Sequence, residues 1–197
     1  MLISEAYAAQ QRELHATGTY GTVGEHFGGL VSQIVDRLEV THLLDYGCGS
    51  RMSLTKGLKI KPGRKLTYQG YDPGAGREEL ATAPIPAQMV CCIDVLEHIE
   101  PDYLDNVLKH LQELTEVVAF VTVHTGPAMK ILPDGRNAHL TQEPIEWWLN
   151  KLTPLFDIQS LQKTDDHSYY MIFYAKPLQI QTVEGEKAAA QPIITEA

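Results

Sequence analysis

Two rhythms of apolar positions run through this chain. In residues 27–38 (FGGLVSQIVDRL), Leu30, Val31, Ile34, Val35 and Leu38 fall on one face of a helix. The next run, VTHLLDY, is short and apolar and ends in an acid and a tyrosine. The glycine-rich GCGS follows it, so it reads as a buried strand entering a tight turn. LTYQGYDP predicts a second strand, stopped by Asp72-Pro73-Gly74, and AQMVCCID a third. Beyond it, Leu104, Val107, Leu108, Leu111 and Leu114 return to helical spacing, with Pro101 and Asp102 marking the start. EVVAFVTVH predicts a fourth strand, and a polar loop then leads to a short helix around PIEWWLNKL. FDIQSLQ and SYYMIFYAKP, joined by the turn TDDH, pair as an antiparallel hairpin.

Strands alternating with helices predict a Rossmann-like α/β fold: a mostly parallel sheet, helices on both faces, and a C-terminal antiparallel hairpin strand. The length suits one domain, residues 1–177, in which 1–26 form an N-terminal cap around Tyr20, Gly21, Gly24 and His26. Residues 178–197 lack periodicity and read as a flexible tail.

Composition narrows the function classes. No apolar run of membrane-spanning length occurs, and the N-terminus lacks the basic start and apolar stretch of a secretion signal. Cys48, Cys91 and Cys92 show no bridging or zinc spacing, so reduced, buried thiols in a cytoplasmic protein are expected. The net charge of −9 argues against nucleic acid as a partner, and the one basic stretch, KGLKIKPGRK, reads as a solvated loop.

Ligands of such sheets sit outside the carboxyl ends of the strands, where the strand order reverses, and the polar clusters fall there. After the first strand comes Asp45-Tyr46-Gly47-Cys48-Gly49-Ser50. A dinucleotide GxGxxG loop would need Gly or Ala at 52, where Met52 stands. An acid before GxG suits a ligand with an ammonium group, which Asp45 is placed to hold directly or through water. Asp72 ends the second strand, 23 residues past Gly49, a position from which an acid accepts bonds from ribose hydroxyls. The third strand ends in Ile93-Asp94-Val95-Leu96-Glu97-His98-Ile99.

Together, LLDYGCG, YDP and CIDVLEHI resemble the class I S-adenosylmethionine-dependent methyltransferases, and within them the small-molecule branch carrying D-V-L-E-H. The resemblance covers about residues 25–176. The loop at 124–139 also looks like that of uncharacterised methyltransferase-like proteins of phages and bacteria. What the resemblance implies is specific. Asp45, Gly47 and Gly49 would line the methionine end of S-adenosylmethionine, Asp72 would bind its ribose, and Asp94, Val95 and Leu96 would lie beside adenine and sulfonium. Two departures accompany it: Arg51 replaces the usual third glycine, and only 15 residues separate Asp72 from Gln88. The edge strand that normally fits there is expected to be lost or reduced to a loop, leaving a more open adenine pocket.

The acceptor side is read from the polar loop. His139, whose imidazole titrates near pH 6.5, is assigned as the base that removes the acceptor's proton. His124, Arg136, Asn137 and Trp148 are assigned to the acceptor pocket, one of the two adjacent tryptophans being core and the other a wall. His98 is read as a group at the start of a helix. No His/Asp/Glu set shows metal-ligand spacing, so no metal is expected. The function expected is O- or N-methylation of a small molecule by direct displacement. The alternatives are a nucleic-acid methyltransferase, which lacks its usual N/D-P-P-Y/F or Pro-Cys motif here, and a non-catalytic module binding S-adenosylmethionine or S-adenosylhomocysteine.

Overall fold

The computed structural model describes residues 1–18 and 21–176. The expected tail, and Tyr20 of the expected cap, lie outside the described residues. Six strands form one sheet: β1 (His42–Tyr46), β2 (Thr67–Tyr71), β3 (Ala87–Cys92), β4 (Thr115–His124), β5 (Phe156–Lys163) and β6 (Ser168–Ala175). Their spatial order is β2-β1-β3-β4-β6-β5. The first four are parallel, and β6 inserts antiparallel between β4 and β5. This is the expected Rossmann-like, mostly parallel sheet. The chain leaves β1 first toward β2 and then returns past it to β3, so the order reverses beside β1.

The pleat sorts alternate residues into two cores. Leu43, Met89, Cys91, Val118 and Phe120 face one side, where they meet Val31, Ile34 and Val35 of α2 (Gly24–Arg37). Leu44, Val90, Cys92, Ala119 and Val121 face the other. There they meet α5 (Pro101–Leu114), through Leu104, Val107, Leu108, Leu111 and Leu114, and α6 (Ile145–Leu152), through Trp148 and Leu152. All three cysteines are free and buried.

Two four-residue helices complete the body, α3 (Leu54–Gly57) and α4 (Glu78–Ala81). Helix α3 crosses α2 so closely that a Cβ on Gly28 would lie 2.1 Å from the backbone of Gly57. Ser32 fastens this crossing, donating to Gly28 O at 2.7 Å and accepting Lys59 N–H at 2.8 Å. Helix α4 is the whole of the regular structure between Asp72 and β3, so the sheet ends at β2, as the short segment predicts.

Helix α1 (Glu5–Ala16) was not legible in the apolar pattern. Its buried positions are Tyr7, Ala8, Gln11 and His15, spaced for one helical face but half of them polar. Ser4 caps it by accepting Tyr7 N–H, and Glu5 stands in the first turn. Glu100 accepts from both Ser4 N and Ser4 Oγ, at 2.9 and 2.8 Å, and Tyr7 Oη donates to His98 O at 2.7 Å. These bonds fix α1 across the carboxyl ends of β1 and β3.

Candidate functional site

An open cleft lies at the reversal of strand order, the place where sheets of this kind take their ligands. Its floor comes from the ends of three strands: Asp45, Gly47 and Gly49 after β1, Asp72 and Gly74 after β2, and Asp94 and Val95 after β3. Its far wall is Tyr7, Gln11 and His15 of α1, with Gly21 and Gly24. Leu96 is not on the cleft: it begins a 3-10 turn (Leu96–His98) and turns its side chain wholly into the α5 core.

The first loop is held by its neighbours. Gly47 has φ of +75° and a Cβ there would strike Val95 Cγ2 at 2.4 Å, so a side chain is excluded twice over. Met52, where a dinucleotide loop has its third glycine, also takes a positive φ of 45°. Arg51 is exposed, and its guanidinium donates to Gly18 O, tying the loop to the end of α1.

Asp45 is buried and accepts a hydrogen bond from Tyr68 Oη. Burial pushes its carboxyl up to about 7, against the opposing pull of that bond. Asp72 braces the loop: Oδ2 accepts Gly49 N–H at 2.9 Å and Oδ1 accepts Gly74 N–H at 2.8 Å. His15 Nε2 lies 3.9 Å from Asp72 Oδ2. Burial raises Asp72 and lowers His15, while the attraction between the two opposes both shifts. Beside them, Gln11 Nε2 is buried with no acceptor among the described residues.

A second cavity opens beyond Asp94, lined by Glu97, Thr122 and His124, by Val23, His26 and Phe27 of the α2 region, and by Asp165, Ser168 and Tyr169 of the hairpin. Of the residues assigned to the acceptor, only His124 is on its wall. Its Nδ1 lies 3.2 Å from Gly126 N and 3.1 Å from Gly126 O.

The other assigned residues serve the loop or the core. Arg136 is exposed and pairs with Asp134 at 2.7 Å, and Gln10 of α1 also donates to that carboxylate. Asn137 is a clamp: Oδ1 accepts from Ala128 N and His139 N, both at 2.9 Å, and Nδ2 donates to Ala128 O. Trp148 is fully buried beneath the sheet and lines neither cavity, because α6 turns it inward. Trp147 is the half-exposed partner, covered by Lys151.

His139 is buried, and its Nδ1 lies 2.7 Å from Gly126 O. Its ring centroid is 4.7 Å from that of His98 and 4.9 Å from that of His124. His98 repeats the arrangement, with Nδ1 2.8 Å from Ala138 O. Burial lowers the affinity of both imidazoles for a proton, so both are neutral at neutral pH. One ligand atom each of Asp94, His98 and His139 lies within 4.8 Å of the others. No spacing in the sequence announces this set, because His139 arrives from a separate loop. Asp94 itself has φ of +60°, a left-handed conformation rare outside glycine. Glu97 is wholly buried; Oε1 accepts His124 N–H at 2.7 Å and Oε2 has no partner among the described residues.

No family model and no curated protein matches the chain. Solved structures do. 1,6-Didemethyltoxoflavin-N1-methyltransferase from Burkholderia thailandensis, with 1,6-didemethyltoxoflavin and S-adenosylhomocysteine bound, matches with a TM-score of 0.58 at 13% identity, over 90% of this chain and 92% of that one. Magnesium protoporphyrin IX methyltransferase from Synechocystis, with S-adenosylhomocysteine bound, gives 0.51 at 15% identity, over 78% and 84%. An O-methyltransferase family protein from B. thailandensis gives 0.51 at 14%, over 77% of this chain and 58% of that one, so the chain spans little more than half its length. The fold is therefore one that methyltransferases use.

Proposed function

We propose that this chain is an S-adenosylmethionine-dependent methyltransferase of the small-molecule branch, acting on an acceptor that enters through the second cavity. The observation that carries this reading is the set of three strand ends, Asp45, Asp72 and Asp94, converging on one cleft at the switch point. The residues present fit the cofactor. Asp45, held half-protonated near neutral pH by burial, gains a counter-charge from an ammonium group. Asp72 has lone pairs left for ribose hydroxyls after its two backbone bonds, and the orphaned Gln11 Nε2 supplies a donor beside it. Gly47 and Gly49 let the ligand approach the backbone at the methionine end, and Asp94 and Val95 border the reacting end. When bound, the cofactor supplies a methyl carbon made electrophilic by its sulfonium.

The chain's own work is then alignment and exclusion of water. Helix α1, fixed by Glu100 and His98 O, forms the far wall of the cleft. His139, neutral and oriented by Gly126 O, lines neither cavity; its ring contact with His124, 4.9 Å between centroids, is its link to the acceptor side. The acidic surface favours a small acceptor over nucleic acid.

The test is transfer of a labelled methyl group to pooled metabolites, nucleotides and nucleic acids, with cofactor binding measured by calorimetry. Label is expected in a metabolite pool. Label in DNA or RNA overturns the small-acceptor reading, and binding without transfer to any pool makes the chain a cofactor-binding module. Asp72→Ala removes two charge-assisted bonds of about 1.5–3 kcal/mol each. It is expected to weaken cofactor binding by about 100-fold or more, and unchanged affinity would remove Asp72 from the site.

A further inference from the structure

We propose that Asp94, His98 and His139 form a binding site for a divalent first-row transition-metal ion. Three observations carry it. The three ligand atoms lie within 4.8 Å of one another, close to the roughly 4.0–4.4 Å that separates the farthest ligands of one ion with bonds of about 2.0–2.2 Å, so a small side-chain shift brings all three onto it. Both imidazoles place Nδ1 against a backbone carbonyl, Ala138 O for His98 and Gly126 O for His139. That second bond fixes the tautomer in which Nε2 carries the lone pair, the outer-shell arrangement that metal-ligating histidines use. His124, the third imidazole of the cluster, stands outside this set of three. Glu97 Oε2, wholly buried and without a partner among the described residues, adds a second carboxylate to the wall that Asp94 shares with the second cavity.

The donor set selects the ion. Two imidazoles and a carboxylate suit Mn²⁺, Fe²⁺, Co²⁺ or Zn²⁺, whereas Mg²⁺ and Ca²⁺ take all-oxygen sites. Position gives it a use. Asp94 and His98 line the cofactor cleft, and Asp94 also lines the second cavity, so an ion here stands at their junction. Resting on the methyltransferase reading, the site deepens it: His139 would serve as a ligand in place of a base, and the ion would hold a carboxylate oxygen, or a hydroxyl oxygen whose proton passes to solvent water, beside the methyl group. The preferred acceptor is thus one with a hydroxyl or carboxylate oxygen.

The experiment is titration of the full-length, tag-free chain with Co²⁺, followed by visible absorption, with Mg²⁺ as a competitor. One Co²⁺ per chain is expected, displaced by Zn²⁺ and untouched by Mg²⁺ at equal concentration. His98→Gln and His139→Gln, each checked for folding by circular dichroism, are expected to weaken Co²⁺ by more than about 100-fold. Glu97→Gln is expected to weaken it by about 10–100-fold, as loss of an outer-shell partner does. His42→Gln, at an exposed histidine on the far end of β1, is expected to change nothing. Absence of stoichiometric binding, or equal binding in wild type, His98→Gln and His139→Gln, overturns the proposal. Calorimetry with S-adenosylhomocysteine in the same samples separates the two claims: cobalt binding without cofactor binding sinks the methyltransferase reading alone, and the reverse sinks the metal site alone.

Discussion

The cleft at the switch point and the loop between β4 and α6 are built by different means. The cleft takes its polar groups from the ends of β1, β2 and β3, where the sheet fixes each backbone to within a register step. The long loop, where most of the acceptor residues were expected, lines neither cavity and must first hold itself together. In the cleft, Asp45 and Asp72 line the wall where the strand ends put them. In the loop, Asn137 and Arg136 spend their hydrogen-bonding groups on the loop and its neighbours. A polar residue at a strand end has its direction set by the pleat; one in a loop faces a ligand only if the loop can do without it.

The sharpest way to break this contrast is Asn137→Ala. The loss of three hydrogen bonds, about 0.5–1.5 kcal/mol each, frees the backbone that carries His139. Turnover is expected to fall by about 100-fold with cofactor affinity unchanged, read from kcat beside a calorimetric Kd. A parallel loss of affinity would show that the cleft and the loop are one mechanical unit.

A smaller effect tests the cleft. Asp45 is raised from 3.8 to about 7, so the folded chain binds more protons than the unfolded chain between those values. Stability without ligand therefore falls as pH rises through that window. A ligand ammonium needs the ionised carboxylate, so affinity for S-adenosylhomocysteine is expected to rise by up to about tenfold per pH unit until about pH 7 and level off above it. Asp45→Asn should flatten the profile; a wild-type profile that is already flat would place the ammonium elsewhere.

The smallest effect belongs to Arg136→Ala. An exposed pair contributes little, and kcat/KM is expected to change by less than about twofold. A drop of tenfold or more would return Arg136 to the acceptor.

Much of the fold was legible because burial follows apolar periodicity. The strands and α5 carry that signal, and Leu104, Val107, Leu108, Leu111 and Leu114 all face the core as their spacing implies. Helix α1 failed the same test for a physical reason. Gln11 and His15 are buried against a cavity that calls for polar groups, so the pattern that marks a core-facing helix is missing from it. Ser4 before Glu5 was the signal available, a capping residue ahead of an acidic first turn. Leu96 and Trp148 misled in the opposite way: their neighbours face the cavity or solvent, and a one-residue rotation on a helical turn puts each in the core. The grouping of His98 with His139 was beyond any local pattern, since 40 residues and two elements separate them.

The truncation of the sheet at β2 has a consequence for life at high concentration. A parallel sheet that stops early presents a row of unpaired backbone groups, the template on which chains stack into aggregates. Here that rim is five residues long, follows the lysine-rich 56–65 stretch, and is succeeded by Pro73, Pro84 and Pro86. The opposite rim, β5, is broken by an irregularity between Ile158 and Ser160, which twists it away from any flat partner. Brevity and positive charge on one border and a kink on the other both work against edge-to-edge stacking of the shortened sheet.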